Sequence, residues 1–114
     1  MLLEMSFSEL KINLAHLDHV LKNAGFISDA TWDYDHATYD FKYDDRTTNA
    51  VYYLRIRGHV VDGGDLHPEA ILQLEEPHIG KHLFPHGIDY QAEIPAAILE
   101  AAKKKLSDVK AKLA

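Results

Sequence analysis

Along the 114-residue chain the hydrophobic positions pass from a helical period through a long alternating stretch and back to a helical period. Leu10, Ile12 and Leu14 alternate with polar residues, the spacing of a short strand that runs into a helix. From Asn13 the pattern is helical. Leu14, Leu17, Val20 and Leu21 share one stripe, Asn13 is a good N-cap, and Gly25 after Asn23-Ala24 is a natural stop, which predicts a helix over about 14–24. The middle of the chain is β in character, with Ala30 to Tyr34 and Ala37 to Tyr43 as strands. Tyr39, Phe41 and Tyr43 fall on one face, and Asp40, Lys42 and Asp44 on the other. After a turn over residues 44–49, Ala50 to Val61 forms the longest strand. Tyr52, Leu54, Ile56, Gly58 and Val60 point one way; Val51, Tyr53, Arg55, Arg57 and His59 point the other. Asp62-Gly63-Gly64-Asp65 is a hairpin-type turn, and Ala70 to Leu74 is a further short strand. Pro77 to Gly87 reads as irregular, and Ile88 to Glu93 as a last strand. Pro95 opens a final helix whose apolar stripe is Ile98, Leu99, Ala102, Leu106, Val109 and Leu113. Strands joined in succession by short turns favour antiparallel pairing with helices on one face. The prediction is an α+β fold: one domain over 1–114, with a single antiparallel sheet of about four to six strands. An N-terminal and a C-terminal helix pack on one face of that sheet.

Composition narrows the class. Hydrophobic residues are 46% and charged residues 26% of the chain, an ordinary globular balance rather than a disordered one. With no cysteine there is no disulfide framework, thiol nucleophile or thiolate metal site. No apolar run approaches the roughly 20 residues that span a bilayer, and Met1-Leu2-Leu3-Glu4-Met5 has no basic leader, so the expected location is cytoplasmic, off the membrane. The net charge of −6 argues against nucleic acid as the main partner. The one basic stretch is the tail, where Lys103, Lys104, Lys105, Lys110 and Lys112 stand against Asp108; a solvated helix face explains it.

The most distinctive stretch is Gly80-Lys81-His82-Leu83-Phe84-Pro85-His86-Gly87, which sets two histidines, a lysine and an aromatic on a backbone bent by glycine and proline. His78, His82 and His86 have a four-residue spacing that would stack them on a helix, but Pro77, Gly80, Pro85 and Gly87 break a helix there. His82 and His86 can still converge across a turn. Asp89 or an aspartate from residues 33–40 would then complete a site for zinc or another transition metal. The competing reading is that these histidines hydrogen-bond loop carbonyls and hold the turn. Asp33, Asp35 and Asp40 offer paired carboxylates, but Arg55 and Arg57 on a partner strand account for them as cross-strand ion pairs. No GxSxG, P-loop or Rossmann glycine pattern occurs. Trp32, Tyr34, Tyr39, Tyr53, Phe84 and Tyr90 supply rigid contact area, and Arg55, Arg57 and Lys81 supply anion contacts, the usual mixture of interface centres.

Four blocks carry a family resemblance: Trp32-Asp33-Tyr34-Asp35, Thr38-Tyr39-Asp40-Phe41-Lys42, Val51-Tyr52-Tyr53-Leu54-Arg55, and Gly80 to Gly87. In order and spacing they resemble the YugN-like family of small proteins from Bacillus-type bacteria, over Leu17 to about residue 100. The resemblance implies a small cytoplasmic bacterial protein and carries no assigned activity, so no catalytic residue transfers. The Asp44-Asp45 turn and the lysine-rich tail look particular to this chain. The expectation is therefore a module that is non-enzymatic by default. It binds a small-molecule or protein ligand, or a second copy of itself, through the open sheet face and the 78–90 loop. The candidate residues are Tyr53, Arg55, Arg57, His59, Lys81, His82, Phe84 and His86, with no catalytic residue and no cofactor. The alternative is a metal-binding protein or metal-dependent enzyme using His82 and His86.

Overall fold

The computed structural model describes residues 1–28, 34–85 and 87–114. In chain order the elements are β1 (Lys11–Asn13), α1 (Leu14–Asn23), β2 (Ile27–Ser28), β3 (His36–Asp45), β4 (Ala50–Asp62), β5 (Ile71–Leu74), β6 (His78–His82), β7 (Ile88–Asp89) and α2 (Ala96–Leu113), with a 3-10 turn at Phe7–Glu9. β4 organises the sheet because it is long enough to hold three neighbours. One edge pairs with β3 from His36 opposite His59 to Asp45 opposite Ala50, and the other edge is divided between β6 and β5. β1 extends the sheet beyond β5, β2 beyond β3, and β7 beyond β6, all antiparallel. Both helices lie on one face. Leu17, Val20 and Leu21 of α1 and Ala102, Leu106, Val109 and Leu113 of α2 share a core with Tyr39, Tyr52, Leu54, Ile56, Leu72, Leu74 and Ile79. The α+β class and the helix placement are as predicted. The described residues form seven strands rather than four to six, because the two-residue strands β2 and β7 add to the count.

Local signals place both helices within a residue or two of expectation. The Asn13 side chain accepts from the His16 amide at 3.2 Å at the start of α1. Gly25 ends the helix at φ +95°, where a Cβ would also stand 2.8 Å from the Phe41 ring, so conformation and space both require glycine. Pro95 is the residue before the first helical one of α2. Two expectations need correction. The segment 77–87 is not irregular throughout, since His78–His82 is a strand on β4. The strand expected over 88–93 stops at Asp89, where the chain turns and the Asp89 carboxylate accepts from the Gln91 amide at 2.9 Å. The strand expected from Ala30 lies, apart from Tyr34, outside the described residues, as does His86.

The junction of β5 and β6 decides which residues reach the open face. Leu74 stands opposite Gly58 and His78 opposite Arg55, so three residues, Glu75 to Pro77, face two of β4, Ile56 and Arg57. That extra residue reverses the alternation. Leu72 and Leu74 point to the helices before it; Ile79 does after it, and His78, Gly80 and His82 turn to the open face. Glu76, inside this bulge, fastens the N-terminal segment: its carboxylate accepts from the amides of Met5 (2.7 Å), Phe7 (3.2 Å) and Ser8 (2.5 Å). Burial pushes its pKa up, but hydrogen bonds from the Ser8 side chain and from the Ser8, Met5 and Phe7 amides outweigh that and bring the carboxyl down to about 2.

Two lysines of the tail helix face inward. Lys105 Nζ donates to the Ala24 carbonyl at 2.8 Å, closing the end of α1, and sits 4.1 Å from the Phe41 ring centroid. Lys110 Nζ donates to the Met5 carbonyl at 2.8 Å. Lys103, Lys104 and Lys112 remain exposed. Among the described residues no helix is long and apolar enough to cross a membrane.

Candidate functional site

The face of the sheet away from the helices carries His36, Thr38, Asp40, Lys42 and Asp44 from β3 against His59, Arg57, Arg55, Tyr53 and Val51 from β4. At its centre Arg55 grips Asp40 directly across the strands, Nε to Oδ1 at 2.8 Å and Nη2 to Oδ2 at 2.9 Å. This fork-to-fork pair is the cross-strand Asp–Arg contact expected from alternation, with Asp40 as the partner. Beside it lies a depression of about 360 Å3 lined by Asp40, Tyr53, Arg55, His82, Ile88 and Tyr90, with Gly87 at its rim. Arg55 Nη1 also donates to the Tyr90 hydroxyl at 3.4 Å. Two edge-on ring contacts build the walls, Tyr53 with His82 at 5.6 Å and His78 with Tyr90 at 5.4 Å.

Gly80 makes this arrangement possible. It lies opposite Tyr53 on the open face, and the side chains of Ile88 and Tyr90 fold over it. A Cβ there would meet Ile88 Cγ2 at 2.4 Å and the Asp89 carbonyl at 2.9 Å, so any larger residue displaces β7 from the wall. A second depression of about 350 Å3, lined by Ile27, Ser28, Asp40, Lys42 and Tyr53, lies on the other side of the Asp40–Arg55 pair. The two share Asp40 and Tyr53, so the open face carries a trough with a charge-neutralised floor.

The structure brings together three of the eight candidates: Tyr53, Arg55 and His82. Arg57 lies one step along the same face, 4.0 Å from the Glu75 carboxylate. His59 stacks obliquely with His36 at 5.9 Å, beyond the depression. Lys81 stands opposite Tyr52, so its register assigns it to the helix side of the sheet, where it is exposed. Phe84, 93% exposed, caps the hairpin between β6 and β7 without entering the depression, and His86 is outside the described residues. Ile88 and Tyr90 join the site, although the sequence pattern marks them only as strand and contact-area residues. Their signal is Gly80, an interior strand glycine, which marks close approach by another segment. Among the described residues no three histidine, aspartate or glutamate side chains group as metal ligands. Asp89, expected as a third ligand, pairs with Lys81 in register rather than with His82.

A larger cavity of about 470 Å3 lies along the outer edge of β3, between Leu14, Asp18, Tyr39, Leu66 and Pro68, with Ser28, His36 and Thr38 also in its lining. Two of its polar groups, Tyr39 and Asp18, already serve one another. Tyr39 donates to Asp18 Oδ1 at 2.8 Å while Lys22 Nζ stands 3.1 Å from Oδ2. Burial foremost, and then Asp18, push the Tyr39 hydroxyl far above its ordinary pKa, so it stays a neutral donor to that carboxylate. The open face is the better candidate because its aromatic edges and histidine line a free surface.

Comparison with known proteins agrees with the fold. The chain is 33% identical over 108 residues to "Uncharacterized protein YlbA" of Bacillus subtilis, covering 93% of this chain and 88% of that protein. It is 31% identical over 80 residues to "Uncharacterized protein YugN" of the same organism, covering 70% of this chain and 58% of the relative. The crystal structure of the uncharacterized conserved protein YugN from Geobacillus kaustophilus superimposes with a TM-score of 0.85 at 30% identity, covering 99% of this chain and 94% of that one. These names carry no activity, and no functional residue transfers from them. Residues 3–111 match the YugN-like family, and the chain belongs to that family.

Proposed function

We propose that this chain is a small cytoplasmic binding module without catalytic activity, and that its ligand seats in the trough of the open sheet face beside the 78–90 hairpin. The observation that supports this reading most is the pairing of a neutralised floor, Asp40 with Arg55, with walls of Tyr53, His82, Ile88 and Tyr90. A bidentate ion pair leaves little net charge for attracting an ionic ligand, while the rings and Ile88 offer flat apolar contact with polar tips. The arrangement suits an uncharged planar group with hydrogen-bonding edges, such as a heteroaromatic ring or an aromatic side chain of a protein partner. The reading needs no cofactor.

Amide-shift mapping on isotope-labelled protein tests it, with indole, benzamide and adenine as probes. The expected result is a saturable response centred on Tyr53, His82, Ile88 and Tyr90 that is lost in the Arg55→Ala/His82→Ala double variant while its fold persists. No response to any probe, or one centred on Leu14 and Tyr39, overturns the reading. So does stoichiometric zinc uptake that is lost in His82→Ala, which would favour the metal-binding alternative.

A further inference from the structure

The outer edge of β3 is paired over only part of its length. β2 covers Tyr39 and Asp40, and no backbone partner among the described residues reaches Lys42 or Asp44 from outside the sheet. The direction of their backbone groups follows from the ladder. The Asp35 carbonyl accepts from the Val60 amide at 2.7 Å, so odd-numbered residues of this strand bond toward β4. The register from His36 to Asp45 has no break, so the N–H and C=O groups of Lys42 and Asp44 point away from β4. An exposed strand edge of this kind is a template for another strand.

Proteins guard such edges with charged side chains, lysine above all. Here the two guarding side chains have opposite signs. Lys42 and Asp44 are on the same face, 3.8 Å apart and 53% and 66% exposed. Only some self-pairings of this edge are allowed. Pairing Lys42 with Lys42, or Asp44 with Asp44, sets like charges opposite one another, and the former also runs into the position held by β2. The antiparallel register centred on Tyr43 sets Lys42 of each copy opposite Asp44 of the other. It also joins the outward-pointing N–H and C=O groups of those same two residues, completing four backbone hydrogen bonds.

We propose that β3 is a homodimerisation edge: two copies join antiparallel about Tyr43, with Lys42 of each facing Asp44 of the other. The pairing continues the sheet across both protomers and brings the two open-face troughs side by side, since Lys42 lines the nearer depression. The contact is short and polar, so the dimer is weak and loosens with added salt. The dimer does not depend on the ligand reading above, because Arg55 and His82 are outside the contact.

Analytical ultracentrifugation of wild type, Lys42→Asp, Asp44→Lys and an equimolar mixture of the two variants tests the proposal, with circular dichroism confirming that each variant folds. Each single variant sets two like-charge pairs across the edge, and its dimer dissociation constant should rise roughly tenfold or more. The mixture restores opposite charges at both pairs, so it should form heterodimer where neither variant alone dimerises. A wild type that stays monomeric up to millimolar concentration overturns the proposal. A dimer that survives both variants unchanged also overturns it and moves self-association to another surface, and so does a mixture that behaves as the sum of its parts.

Discussion

Replacing Glu76 by glutamine should loosen the N-terminal segment in a pH-dependent way. The carboxylate receives three backbone amides, from Met5, Phe7 and Ser8, and its pKa lies at about 2 against an ordinary 4.5. A folded-state value below the unfolded one means that the ionised form stabilises the fold. That stabilisation is complete above pH 4.5 and is lost as the pH falls through about 2. The pKa difference alone corresponds to at most about 3 kcal/mol. Solvent at the half-buried carboxylate screens part of it, leaving about 1–2 kcal/mol. Glutamine keeps one acceptor oxygen but loses the charge and the second acceptor. At pH 7 urea unfolding of Glu76→Gln should therefore show a loss of about 1–2 kcal/mol, equivalent to roughly 5–10 °C in melting temperature. The gap to wild type should narrow as the pH is lowered below 4.5, where the unfolded chain takes up a proton at Glu76 while the folded carboxylate stays ionised down to about 2. Hydrogen exchange should speed up first at Met5, Phe7 and Ser8. A gap that stays constant between pH 7 and pH 3, or a variant as stable as wild type at pH 7, would refute the reasoning.

Gly80→Ala should cost about 1–3 kcal/mol by urea unfolding, because the added Cβ collides with Ile88 and the Asp89 carbonyl, and it should weaken any ligand response at Tyr53 and His82. Lys105→Ala should lower stability by about 1 kcal/mol through loss of the Ala24 hydrogen bond and the Phe41 ring contact, whereas exposed Lys104→Ala should stay within about 0.5 kcal/mol of wild type in the same thermal melt.

Much of the fold was legible because its determinants are local. Asn13, Gly25 and the Leu14–Leu21 stripe delimit α1, and strict alternation sorts β3 and β4 into faces, so Tyr53, Arg55 and Arg57 fall on one face of the sheet as expected. The candidate site was legible in part. Arg55 was expected to pair with an aspartate across the strands, and Asp40 is that partner. Glu75 as the neighbour of Arg57 was not foreseen, because it arrives from β5's end, far along the chain.

The periodicity of this sequence determined the element types, the split of β4 into an apolar and a polar face, and the amphipathic helices that cover the apolar one. Those properties depend on neighbours within one or two turns of chain. Tertiary structure alone decided which strand borders which, and it placed one extra residue between β5 and β6. A bulge exists only relative to a partner strand, so no pattern within 71–82 reveals it. That single residue turns His82 rather than Lys81 to the open face, brings His82 to Tyr53, and lets Ile88 and Tyr90 close over Gly80.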